Sequence, residues 1–148
     1  MENSTILSIN RPGRHQFSNT RLFKRRNNQA RILAFEELMI YRNTTIPVIG
    51  EKTIDLLALP SILFIQAFGD KSIFYCAKGK KVWSPEHLDY WMDKMDNKYF
   101  VQVHSSYYVN IRAIKGVDWQ RNQMLVQKIA VPTTDEFYDS MKTVISKI

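Results

Sequence analysis

The chain has 148 residues, of which 45% are hydrophobic and 12% aromatic, enough apolar material for one core of ordinary domain size. The 21 Lys and Arg outnumber the 14 Asp and Glu, and the resulting formal net charge of +7 favours a polyanionic partner. Because Cys76 is the single cysteine, the composition excludes a disulfide framework and a thiolate zinc site, and it fits a reducing cytoplasm.

Neither a secretion signal nor a membrane span is predicted. The first residues contain no basic segment that leads into an apolar core. The longest apolar run, residues 56–68, is interrupted by Pro60 and Gln66 and is too short to cross a bilayer as a helix. We therefore expect a cytoplasmic protein.

The positive charge is concentrated in residues 1–42, which hold eight Lys and Arg against three Glu, a net +5 (8 − 3). Residues 10–28 are rich in Asn, Ser, Arg, Pro and Gly, which is typical of a flexible segment. Apolar residues between positions 29 and 41 can line one helical face and predict a short helix. We predict that residues 1–42 form a basic N-terminal extension, followed by a domain over residues 43–148.

Short β-type runs follow one another from Thr44 onward. Gly, Pro and Gly-Asp signals separate them, as turns between antiparallel strands require, and the first five runs predict a β-meander. The predicted strands are 45–49, 53–59, 61–68, 72–77, 80–83, 99–103 and 106–111, with a hairpin from 114–119 to 123–129.

Two helices are predicted between and after these strands. Ser84, Pro85 and Glu86 form a start signal of N-cap, first-position proline and first-turn acid, which predicts a helix over residues 85–95. Thr133 and Glu136 match the capping-box pattern, which predicts a final helix over residues 134–147.

The stretch YFVQVHSSYYVNI, residues 99–111, resembles the signature of the LytTR DNA-binding family, which has the form FVRVHRSYLVN. The resemblance extends from about Thr44 to Ile148 and leaves out the N-terminal extension. Other family features match in chain order: the strand before the first DNA-facing loop (59–67), a glycine turn (78–81), a short helix (88–95) and the strand before the last helix (Ile129–Pro132).

The resemblance implies a mainly β fold of packed antiparallel sheets with two short helices, in addition to the basic N-terminal extension (residues 1–42), which we call the arm. DNA contacts in the family come from loops and strand ends. In the first loop, Lys71 would neutralise a phosphate and Ser72 would donate to one. In the signature, Ser105 stands where the family often has a basic or amide residue. At the start of the last helix, Asp135 and Glu136 stand where the family often has cations.

The implied function is sequence-specific binding of double-stranded DNA by a bacterial transcriptional regulator. A homodimer or a separate signalling protein is a possible further partner, and neither a cofactor nor a metal is expected. The residues predicted to contact DNA are Lys71, Ser72, Gln102, His104, Ser105, Arg112 and Thr134, with Arg25 and Arg26 in the arm.

Several of these residues also have structural interpretations. Lys71 fits a solvated hairpin tip, and the acidic pair at 135 and 136 fits helix capping. His104 is expected to be a hydrogen-bonded structural residue rather than a metal ligand. Asn110 is expected to fix a strand end through its side-chain amide, and Tyr107 and Tyr108 are expected to face opposite sides of a strand.

A second functional hypothesis is a protein interaction module, because Ser105 and the acidic pair remove hydrogen-bond donors from the contact surface. A third is a membrane-surface role for residues 21–26, which has few apolar residues to anchor it. Enzymatic activity is not predicted, since the sequence has no glycine-rich phosphate loop, no nucleophile elbow and no metal-spaced His and carboxylate cluster.

Overall fold

A computed structural model describes residues 17–95 and 97–147, with side chains from residue 29 onward. The chain divides into two units, one that contains the N-terminal helix as far as Tyr41 and one from Arg42 to Lys147. None of the helices in the described part of the chain has the length and hydropathy needed to cross a membrane.

Helix α1 (Phe17–Asn43) is longer than the sequence predicted. It contains the predicted stretch 29–41, and it also includes residues 17–28, which composition marked as flexible. No Pro or Gly interrupts the sequence between Phe17 and Asn43, and Arg, Lys, Gln, Ala and Leu are good helix formers. The helix thus extends over residues that composition alone did not mark as helical.

Ten strands form three antiparallel sheets in the described residues. The strands are β1 (Thr45–Ile49), β2 (Ile54–Ala58), β3 (Ile62–Phe68), β4 (Lys71–Cys76), β5 (Lys81–Ser84), β6 (Phe100–His104), β7 (Tyr107–Asn110), β8 (Ile114–Asp118), β9 (Gln123–Val126) and β10 (Ile129–Pro132).

The central sheet has the strand order β5-β4-β3-β7-β6, so it is only in part a meander. Strands β1 and β2 form a hairpin of their own, and β7 occupies the edge of β3 that faces away from β4. The third sheet has the order β10-β9-β8. The predicted single strand over 123–129 is two strands, because Gln127 adopts a left-handed φ of 56° and turns the chain.

Apolar side chains cover both faces of the central sheet. On one face, residues of β3, β6 and β7 pack against β9, β10 and the last helix, with Val103, Val109 and Met124 fully buried. Elsewhere in the core, Phe74 packs edge-on against Trp91, with ring centroids 4.9 Å apart. Burial on both faces explains why the strands of this sheet are long apolar runs.

Helix α2 (Leu88–Lys94) begins later than its sequence signal. Its N-cap is His87, whose Nδ1 accepts the Asp89 N–H at 3.1 Å. Ser84, predicted as the cap, is buried at the end of β5, where its Oγ accepts the indole N–H of Trp91 at 2.9 Å. The serine therefore anchors the helix by a tertiary hydrogen bond.

Helix α3 (Tyr138–Ile145) follows a single 3₁₀ turn, Asp135–Phe137. The predicted capping box is absent, because Thr133 is buried and its N–H donates to the carbonyl of Asn122 at 2.9 Å. The carboxylates of Asp135 and Glu136 are consequently exposed, and neither forms a cap in the described structure.

Candidate nucleic-acid interface

Two turns of the central sheet meet at one end of it. Gly69 and Asp70 connect β3 to β4, and Ser105 and Ser106 connect β6 to β7. The turns are joined by a main-chain hydrogen bond of 2.8 Å from the N–H of Ala67 to the carbonyl of Ser106. We call this end of the sheet, with its two turns, the loop end.

The start of the last helix lies at the loop end as well. Pairing between β6 and β7 shifts register between Gln102 and His104, which is a β-bulge. The carbonyl of Val103, the residue between them, accepts the N–H of Thr134 at 3.0 Å. Three segments that are far apart in sequence are thus held together by main-chain hydrogen bonds.

His104 is half-buried and has the hydrogen bond predicted for it. Its Nδ1 accepts the N–H of Ser106 at 3.1 Å, and its ring packs edge-on against Tyr107, with centroids 5.4 Å apart. An accepting Nδ1 places the proton of the neutral ring on Nε2. The ring therefore has a fixed orientation and an Nε2–H available as a donor.

Neighbouring polar groups differ in their freedom to bind. Ser105 is exposed, whereas the half-buried Gln102 donates its side-chain amide to the carbonyl of His104 at 3.3 Å. Thr134 is half-buried, and its Oγ1 is buried without a hydrogen bond among the described residues. Burial raises the pKa of the Tyr107 phenol, so that Tyr107 remains a hydroxyl donor at neutral pH.

Lys71 and Ser72, predicted as adjacent phosphate contacts, have different environments. Lys71 is exposed at the loop end, where β4 begins. Ser72 is fully buried, and its hydroxyl donates to the carbonyl of Glu86 at 2.8 Å. The two environments differ because successive side chains of a strand point to opposite faces of the sheet. Ser72 ties the start of α2 to the sheet and cannot donate to DNA in this conformation.

Arg112 lies at the opposite end of the central sheet, which we call the far end. The strand β7 runs from the loop end at Tyr107 to Asn110, and Arg112 follows it. At about 3.3 Å per residue, four residues of strand separate the two ends by on the order of 13 Å. Arg112 is thus not part of the loop end, contrary to the grouping predicted from sequence.

Arg25 and Arg26 lie in the part of α1 that belongs to the other unit of the chain. Of the seven predicted residues in the unit from Arg42 to Lys147, the loop end brings together five. They are Lys71, Gln102, His104, Ser105 and Thr134.

The sequence did not predict that the turn between β8 and β9 lies beside the loop end. The carbonyl of Asn122 in this turn accepts the N–H of Thr133, and the ring of Trp119 contacts that of Tyr138 at 4.4 Å. Trp119 is 38% exposed. Its position depends on the return of the chain through β10, so no local sequence signal indicates it.

Charges of both signs occur on this surface. Lys71 and Arg121 supply positive charge, although Arg121 is 3.7 Å from the carboxylate of Asp118. Asp70 and the exposed acids of the turn Asp135–Phe137 supply negative charge. The surface offers oriented hydrogen-bond donors more than a large excess of cations.

Comparison with known proteins identifies one family. Residues 52–146 match the model described as the LytTr DNA-binding domain. The structure is similar to a LytTr DNA-binding domain from Bacillus cereus, with a TM-score of 0.60, at 12% sequence identity and covering 70% of this chain and 97% of that chain. No curated protein matches the chain with significant sequence similarity.

Proposed function

Because the chain belongs to the LytTR DNA-binding domain family, we propose that it binds specific duplex DNA sequences through its loop end, as a bacterial transcriptional regulator in the cytoplasm. The observation that carries this proposal is the convergence of Lys71, His104 and Thr134 on one end of the sheet. The family is defined by DNA binding and not by a catalytic activity.

Fixed spacing between the turns suits the loop end to a groove. Main-chain hydrogen bonds at Ala67 and Thr134 hold three segments in place before DNA arrives, so little conformational entropy is lost on binding. The Nε2–H of His104 and the hydroxyl of Ser105 can donate to acceptors on base edges, which carry sequence information. Lys71 is suited to a phosphate, which fixes position without selecting sequence.

A protein interaction module is the alternative function, and the acids of the loop end favour it. Asp70, Asp135 and Glu136 repel phosphates, whereas an acidic surface attracts basic protein segments. Because the main-chain geometry would serve either partner, the charged side chains provide the test.

Changing single charges at the loop end is expected to move DNA affinity in opposite directions. Lys71→Ala should weaken binding to all duplexes about two- to fivefold, the range of an exposed ion pair. Glu136→Arg should strengthen it by a similar factor or more, because a repulsive charge becomes attractive. No capping hydrogen bond is lost in this change, since the capping box is absent. Fluorescence anisotropy with labelled duplexes measures both effects.

Lys52→Ala is the matched control, because Lys52 is exposed in the turn between β1 and β2 and belongs to none of the three segments that form the loop end. It should leave affinity close to that of the parent. Equal DNA affinities for the parent and all three folded variants would show that the loop end does not contact DNA.

A further inference from the structure

A cavity of about 600 Å³ opens at the far end of the central sheet. Its walls come from the turn between β4 and β5 and from the turn between β9 and β10. The volume lies within the range of about 300–1,000 Å³ that small-molecule sites occupy in proteins. None of its lining residues belongs to the loop end.

The inner wall of the cavity is apolar and packs against the core. Leu63 is buried in the core, and Tyr75 stacks on Phe64, with ring centroids 4.4 Å apart. Ile129, 38% exposed, continues the apolar wall toward solvent. A flat or aliphatic ligand group would replace water over this wall, which is favourable for apolar surface.

Four lysines surround this apolar wall. Lys81 already places its Nζ over the ring of Tyr75, 5.1 Å from the centroid. No Asp or Glu belongs to the lining in the described part of the chain. Burial raises the pKa of the Cys76 thiol, which therefore adds no negative charge to the wall at neutral pH. The lysines of the lining are Lys78, Lys80, Lys81 and Lys128.

The turn that carries two of these lysines has an unusual backbone. Lys78 has a left-handed φ of 63°, which is disfavoured for a residue with a side chain, and Gly79 has a φ of 79°. The turn is closed by a hydrogen bond of 2.7 Å from the N–H of Cys76 to the carbonyl of Lys80. Gly79 tolerates its positive φ because it has no side chain. The closed turn fixes the positions from which the side chains of Lys78 and Lys80 extend.

We propose that this cavity is a binding site for a small amphiphilic anion, whose apolar body covers Tyr75 and Leu63 and whose carboxylate or phosphate group pairs with the surrounding lysines. Concavity and an apolar wall distinguish the site from a surface for the phosphate backbone of duplex DNA, which presents charge without an apolar body. Four cations in the lining of one cavity also favour an anion over a neutral ligand.

Two dyes of nearly the same shape test the proposal on the full chain. The probe is 1-anilinonaphthalene-8-sulfonate, and its neutral counterpart is N-phenyl-1-naphthylamine. In the double variant Lys78→Gln/Lys128→Gln, the Kd of the sulfonate is expected to rise about tenfold, since each exposed charge contact contributes up to about fivefold. The affinity for the neutral dye should stay unchanged. Fluorescence titration measures both.

The matched control is Lys52→Gln/Lys147→Gln, which removes the same charge from exposed positions outside the lining. It should bind both dyes as the parent does. Equal sulfonate affinity in the two double variants would overturn the proposal, as would an equal loss of the neutral dye. If the first double variant is unstable, Lys128→Gln alone provides the same comparison, with an expected loss of about threefold.

Competition identifies the headgroup. Nonanoate and octyl phosphate carry the same octyl chain and differ in their acidic group, and displacement of the sulfonate dye by either supports the site and names its preferred anion. Octanol is the neutral control. Displacement by octanol as effectively as by both anions would overturn the proposal.

Discussion

Replacing Asn110 with Ala is expected to lower the free energy of unfolding by about 2–4 kcal/mol. Asn110 is fully buried where β7 ends. Its Nδ2 donates to the carbonyl of Ile62 at 2.8 Å, and its Oδ1 accepts the N–H of Arg112 at 3.0 Å. Alanine would leave both main-chain groups without these partners, and an orphaned buried group costs about 1–3 kcal/mol. Urea unfolding followed by tryptophan fluorescence measures the loss.

Asn97→Ala is the control for this substitution, because Asn97 is exposed in a turn. Its stability should stay within about 0.5 kcal/mol of the parent, as for most surface changes. A loss at Asn110 no larger than the loss at Asn97 would show that these two hydrogen bonds do not stabilise the fold.

Removing residues 1–28 is expected to flatten the dependence of DNA affinity on salt by roughly two to four units of log–log slope. Each phosphate that a cation neutralises adds about 0.9 to this slope. Over a fourfold change in salt, the difference corresponds to about 16- to 250-fold in affinity. Anisotropy titrations at several salt concentrations measure the slope. The cations removed are Arg11, Arg14, Arg21, Lys24, Arg25 and Arg26.

A substitution within α1 separates the effect of charge from that of helix length. Arg25→Gln/Arg26→Gln keeps good helix formers at both positions and should reduce the slope by about 1.8 if each arginine meets a phosphate. Parallel salt plots for the parent, the truncation and the double variant would exclude the arm from the interface. Residues 11 and 14 lie outside the described residues, so their contribution rests on charge alone.

Most of the strands were predictable because their signals are local. The turn at Gly69 and Asp70, for example, follows from residue types that favour tight turns. The turn at Gln127 and Lys128 was not predictable, because neither residue type announces the left-handed conformation that Gln127 adopts. Cap positions failed for a related reason. The Oγ of Ser84 accepts the N–H of Glu86 and the indole N–H of Trp91, but the helix begins only at Leu88. The main-chain N–H of Thr133 is taken by the carbonyl of Asn122.

The site was predictable in part, because the signature and its loops are continuous in sequence. Arg112 is close to Ser105 along the chain, yet β7 carries it to the far end. Ser72 directly follows Lys71, yet strand alternation buries it. Such separations depend on strand direction and pairing, which a list of polar residues does not contain. The hydrogen bonds of His104 and Asn110 were predicted and are confirmed.

Sequence-specific recognition of duplex DNA is tested by selecting bound duplexes from a random pool with the purified full chain. We expect enrichment of a defined motif that persists at raised salt. Ser105→Ala, which removes a hydroxyl exposed at the loop end, should change the preference at one base step. Retention without any motif, lost as salt rises, would show binding by charge alone. That result would contradict sequence-specific recognition by the loop end.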